Sequence, residues 1–195
     1  MALRDAGLAS LAYFYFDFRD PDKRNYYDLL LSILTQLLSC SDDYCDIVSC
    51  SYGVHDDGAH KPSASTLMAC LKEMLSLPGQ APIYIILDAL DECSNSCGIP
   101  SSREQVLDLI RDLVGLQLSN IHICVTSQPE LDISAALEPL ASQPVSIHDQ
   151  SGQKQDIEDY VKFVVYADSD TAVKRWRGED KELVIQMLTE RAAGM

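Results

Sequence analysis

Basic residues are scarce in this chain. Fifteen lysines and arginines face thirty aspartates and glutamates, a net charge of −15 over 195 residues. That balance argues against nucleic acid and anionic membranes as partners, because both are recognised through a positive footprint. The one basic cluster, KRWR at 174–177, falls between two helical patterns and reads as a solvated turn. Long apolar runs are also missing: the stretch 11–16 is far too short to span a bilayer. Met1 is not followed by a basic segment and an apolar one, so no secretory leader is expected. The seven cysteines, an odd number, then read as free thiols of a reducing, cytoplasmic compartment. Neither a G-x-S-x-G elbow nor a Cys–His context occurs, which argues against an unrelated hydrolase built around Ser127 or a cysteine.

Two apparent sites dissolve on inspection. Cys40, Cys45, Cys50 and His55 recur every five residues. On one helix such steps turn each residue about 140° from the last, so the four cannot converge on one ion. Zinc ligands also come as tighter pairs separated by a longer gap. Cys93 and Cys97 flank a polar turn and offer no better set. No G-x-x-x-x-G-K-[ST] occurs anywhere; the nearest imitation, GVHDDGAHK at 53–61, has Ala59 and His60 where a phosphate loop needs Lys and Ser or Thr. It follows a polar stretch rather than a strand, so it cannot form an anion cradle.

What is present is strand–helix alternation. The aromatic run 11–18 reads as a buried strand. Tyr26, Leu29, Leu30, Ile33 and Leu37 recur at helical spacing, and Leu67, Cys70, Leu71, Met74 and Leu75 form a second such stripe. The polar stretch 41–62 suggests at most a short helix near Asp46. A strand over 83–88 follows the breaker LPGQAP, and Ser102 with Gln105 suggests a capping box for the helix carrying Val106, Leu109, Ile110 and Leu113. Strands are expected at 121–127 and 145–147, with a short helix near 133–137 between them. Two further helices carry Ile157, Tyr160, Val161 and Val164, then Leu183, Val184, Met187 and Leu188. This is an α/β pattern, a parallel sheet covered on both faces by helices. Ligands of such sheets bind beyond the carboxyl ends of the strands. Asp88 and the pair Thr126–Ser127 both fall at such ends.

An aspartate after a strand most often just caps the next turn. Here, though, three acids stand in DALDE, with the small Ala89 allowing close approach. A carboxylate at Asp88 could help hold Mg²⁺ beside a nucleotide's phosphates, and Asp91 or Glu92 could polarise an attacking water.

Those residues carry a resemblance. IYIILDALDEC (83–93) resembles the extended Walker B motif of NACHT domains, and ICVTSQPE (123–130) resembles the sensor strand that follows it. AYFYFDFRD, LVGLQLSNIHICVTSQPE, ALEPL and VSIHDQSGQKQDIEDYV extend the similarity to fungal NACHT proteins, a group also labelled nephrocystin-like N-terminal domains, over about Ala6 to Met195. The resemblance implies a partial P-loop NTPase fold of the STAND type, a nucleotide-dependent signalling switch similar to NLR receptors. It implies Mg²⁺ and ATP or GTP as cofactors, with Asp88 as the metal residue, Asp91 and Glu92 as catalytic acids and Ser127 at the sensor position. The expected organisation is one incomplete domain over 1–195, with a core at 8–150 and a C-terminal helical part at 151–195. Relative to the family, the chain is expected to be truncated at both ends. The phosphate loop and the central strand before it would lie upstream of the first strand. Gln128 stands where the family commonly has Arg, so it brings no positive charge. Without the phosphate loop, nucleotide binding and hydrolysis by this chain alone are not expected. The partners then implied are the chain itself or full-length NACHT proteins, as for a non-enzymatic truncated paralogue or a fragment of a longer product.

Overall fold

The structure is a computed structural model that describes residues 8–54, 61–95, 98–145, 153–167 and 176–192. The chain divides into two compact units, Met1–Ala141 and Ser142–Met195.

The first unit is built on three parallel strands: β1 (Ser10–Tyr15), β2 (Ile83–Asp88) and β3 (Ile121–Val125), in the order β1-β2-β3. Among the described residues, four α-helices lie between them, α1 (Tyr26–Leu38), α2 (Asp42–Val54), α3 (Ala64–Leu75) and α4 (Ser102–Gly115), with the short α5 (Leu131–Leu137) following β3. Helix α1 starts where Asn25, in extended conformation, accepts the Asp28 amide at 3.0 Å. Ser63 does the same for α3 through Thr66 at 3.1 Å. These short polar side chains satisfy amides that the first turn leaves without partners. The predicted stripes face inward: Leu29, Leu30, Ile33 and Leu37 of α1 and Leu67, Cys70, Leu71, Met74 and Leu75 of α3 are buried. They join Ala12, Phe14, Ile83, Ile85 and Leu87 of the sheet and Val106, Leu109, Ile110 and Leu113 of α4 in one core. Each fully buried leucine contributes about 1.5–3 kcal/mol of transfer free energy.

Several local expectations shift. The strand expected over 11–18 ends at Tyr15, and the one expected over 121–127 ends at Val125. The short helix near Asp46 is a full 13-residue helix. The capping box belongs to Ser101 and Glu104, not Ser102 and Gln105. Ser101 keeps the extended backbone that an N-cap needs, whereas Ser102 is already the first helical residue. Of the strand expected at 145–147, Val145 lies in no strand, and the other two residues fall outside the described ones.

Register places the chemistry. Tyr15 pairs with Asp88 across β1 and β2, and Leu87 pairs with Val125 across β2 and β3. Asp88 is therefore level with the residue after Val125, which is Thr126. Among the described residues, side chains on the opposite face of the sheet are exposed: Tyr13 is 51% exposed and Tyr84 42%, and His122 and Cys124 are exposed as well. Tyr84 and His122 stack on each other there at 4.8 Å. The outer edge of β1 is closed by a side chain: Gln36 of α1 donates to the Tyr13 carbonyl at 2.7 Å and accepts the Tyr13 amide at 3.1 Å. Such edge protection blocks pairing with another chain.

The described residues of the second unit form two helices, α6 (Gln153–Tyr166) and α7 (Gly178–Ala192). Val165 and Ile185 are buried, and the Tyr166 hydroxyl donates to Glu182 at 2.7 Å. No helix among the described residues is long and apolar enough to cross a membrane.

Candidate functional site

The acids stand where the sheet ends. Ala89, directly after Asp88, is left-handed at φ 55°. A non-glycine residue rarely adopts that conformation, at a cost of about 1–2 kcal/mol. It turns the chain sharply out of β2 into a single 3-10 turn, Leu90–Glu92, with Leu90 fully buried beneath it. The buried Leu90 holds the turn down, leaving Asp88 exposed and Asp91 and Glu92 half-buried around it.

Each of the three carboxylates already has a donor from elsewhere in the chain. Asp88 accepts the Thr126 hydroxyl, and Thr126 Oγ1 in turn accepts the Ala89 amide at 3.0 Å. Asp91 accepts the backbone amide of Gln128 at 2.9 Å. Glu92 accepts the backbone amide of Phe18 at 3.1 Å. Main-chain bonds run alongside, from Leu90 N to Thr126 O at 3.0 Å and from Phe16 N to Asp88 O at 3.0 Å. The acid turn thus ties together the three segments that leave β1, β2 and β3. Hydrogen bonds to an ionised acceptor are among the stronger ones a protein makes.

Beneath the turn lies an arginine. Arg103, in the first turn of α4, is only 6% exposed. Its Nε donates to the Cys93 carbonyl at 3.3 Å and its Nη2 to the Asp91 carbonyl. Its Nη1 pairs with Glu130 and, at 3.4 Å, with Asp132. A buried guanidinium needs such satisfaction, since an unpaired buried charge is costly. Arg103 also keeps the company of Cys93, whose thiol is pushed up to about 12, chiefly by burial and against the lowering pull of the Arg103 charge. On the rim, Arg19 lies beside Asp17, and its side-chain hydrogen bond lowers the Asp17 carboxyl to about 2.

The predicted residues therefore sit on one edge but in different roles. Asp88, Asp91 and Glu92 are brought together. Ser127 is not turned toward them: its hydroxyl donates to the neighbouring Gln128 carbonyl at 2.7 Å, and Thr126 is the residue that meets Asp88. Arg103 escaped the sequence reading, although it lies on the same stripe as Val106, Leu107 and Ile110, all buried. A charge at helical spacing within an apolar stripe was the available signal.

Could the edge hold Mg²⁺? That ion needs near-octahedral oxygen coordination and keeps waters or phosphate oxygens to complete it. Among the described residues no group of three or more His, Cys, Asp or Glu side chains is arranged to hold a metal. Asp88, Asp91 and Glu92 each accept one hydrogen bond, from Thr126, Gln128 and Phe18, and each carboxylate keeps its second oxygen. A cavity of about 430 Å³ opens at the other end of the strands, lined by Ser10, Ser39, Asp43, Tyr44, Gly79 and Gln80. Its one charged residue in that lining is an acid, which does not suit a phosphate. Cys40, Cys45 and Cys50 are free thiols, and His55 lies outside the described residues.

Among known proteins, a family model described as Nephrocystin 3, N-terminal, matches residues 2–128. The match spans all three strands and the whole acid edge. No curated protein and no solved structure matches the chain.

Proposed function

This chain belongs to the family described as Nephrocystin 3, N-terminal, and from that premise we propose that it is part of a NACHT-type, nucleotide-dependent signalling switch. It supplies the Walker B and sensor portion of a STAND-type P-loop module. The observation that carries the proposal is the register of β2 and β3, which sets Asp88 beside Thr126 at the carboxyl edge of a parallel sheet. That edge is where open α/β sheets take their ligands. Within the switch, Asp88 serves the metal side, Asp91 and Glu92 the water side, and the strand tip at Thr126 and Ser127 the sensor. These 195 residues contain no G-x-x-x-x-G-K-[ST] loop to cradle the phosphates of a nucleotide. Mg²⁺ with ATP or GTP is therefore not gripped by this chain alone, and no hydrolytic step is assigned to it.

The exposed sheet face favours a second, non-enzymatic role as an interaction partner of full-length NACHT proteins or of itself. Parallel sheets are ordinarily covered on both faces, whereas Tyr13, Tyr15, Tyr84 and Ile86 stand exposed here. Calorimetric titration with ATP or GTP at millimolar Mg²⁺ separates a self-sufficient switch from a partial one. No saturable binding is expected from the chain alone, and a micromolar Kd would show that it completes a nucleotide site unaided.

A further inference from the structure

We propose that Arg103 is the positioning residue of the acid edge, fixing where the Asp91 carboxylate stands and thereby its bond to Gln128. If its task were only to neutralise acids, Glu130 and Asp132 would suffice. Instead the guanidinium spends two arms on main-chain carbonyls, those of Asp91 and Cys93. Those carbonyls belong to the middle of the turn from which the Asp91 side chain projects and to the residue that follows it. The third arm holds Glu130, whose amide donates to the Gln128 carbonyl at 2.9 Å. Gln128 in turn gives its own amide to Asp91 at 2.9 Å.

These contacts close a circuit. It runs from Arg103 to the Asp91 backbone, through the Asp91 carboxylate to Gln128, on to Glu130 and back to Arg103. A planar fork can hold both sides of such a circuit at once, whereas a single ammonium cannot. Arg103 itself is anchored from below, its amide donating to the Ser94 carbonyl at 3.1 Å. Helix α4 therefore sets the spacing between the acid turn and the segment leaving β3. A shift of α4 would move Asp91 relative to Thr126 and Gln128 without touching either strand. This role rests on the acid edge being the site proposed above, but its test uses no nucleotide, so the two can fail separately.

The test is amide hydrogen exchange, read by NMR on the intact chain, for Arg103→Met, Asp91→Ala and the double variant. Arg103→Met is expected to speed exchange at Gln128 about tenfold relative to the Ile85 amide in β2, the loss of one charge-assisted hydrogen bond. Asp91→Ala is expected to do the same. The double variant should exchange no faster there than the faster single, because both changes break one circuit. Arg103→Lys should behave like Arg103→Met. Additive effects, a uniform rise at Gln128 and Ile85 together, or an unchanged Gln128 would overturn the proposal. If Arg103→Met does not fold, Glu130→Gln opens the same circuit from a side chain 43% exposed. A selective rise at Gln128 is expected from it as well, and its absence would equally overturn the role.

Discussion

Asp88, Asp91 and Glu92 share one turn, yet each answers to a different part of the chain: Thr126, Gln128 and Phe18. Two of those donors are backbone amides, and an amide has no side-chain identity to betray it. This is why the acid cluster and Thr126 were legible in the sequence while the amides of Gln128 and Phe18 were not. Arg103 was hidden for a different reason: a charge is read as surface by default, and only its place on the buried stripe of α4 marks it otherwise. Cys93, against that arginine, offers a residue-scale test. Burial raises its thiol to about 12, so it stays protonated where an ordinary cysteine near 9 would begin to ionise. The preference it adds to the folded state is present in full below about 9 and is lost as pH climbs toward 12. At pH 8 iodoacetamide is expected to modify the exposed Cys124 in the native protein and to leave Cys93 untouched until denaturant is added. Comparable rates at the two, read by peptide mass mapping, would contradict the packing described around the turn.

Elements were easier to read than their ends. Helices α1, α3 and α4 follow from apolar residues three and four apart, and β2 from a continuous apolar run closed by an acid. Strand ends depend on pairing, which spacing does not record: β1 stops at Tyr15 and β3 at Val125 because the chain beyond them bonds to the acid turn. Helix α4 is the element through which Arg103 acts, and its start is fixed by reciprocal bonds between Ser101 and Glu104, at 3.2 and 2.7 Å. Ser101→Ala is expected to cost about 1 kcal/mol in urea denaturation, the usual worth of an N-cap. Ser102→Ala, one residue into the helix, should be within a few tenths of a kcal/mol of wild type. A larger loss at Ser102 than at Ser101 would return the cap to the position that the sequence alone suggested.

At the scale of the whole molecule, charge decides how the acid edge should behave. A chain of net charge −15 repels itself, so deleting an acid at random relieves repulsion and leaves stability unchanged or raised. Glu73 is such an acid, exposed in the last turn of α3, where the helix's carbonyl end already carries negative charge. Asp91 should respond in the opposite sense if the edge is a tie between β2 and β3 rather than an open pair of hands for a metal. An acid kept only for an absent cation would be a repulsive burden, and its removal would stabilise the fold. The deciding measurement is urea unfolding of Asp91→Ala beside Glu73→Ala in metal-free buffer at pH 7. The tie predicts that Asp91→Ala loses about 1–2 kcal/mol while Glu73→Ala loses nothing. A gain of stability in Asp91→Ala would contradict it.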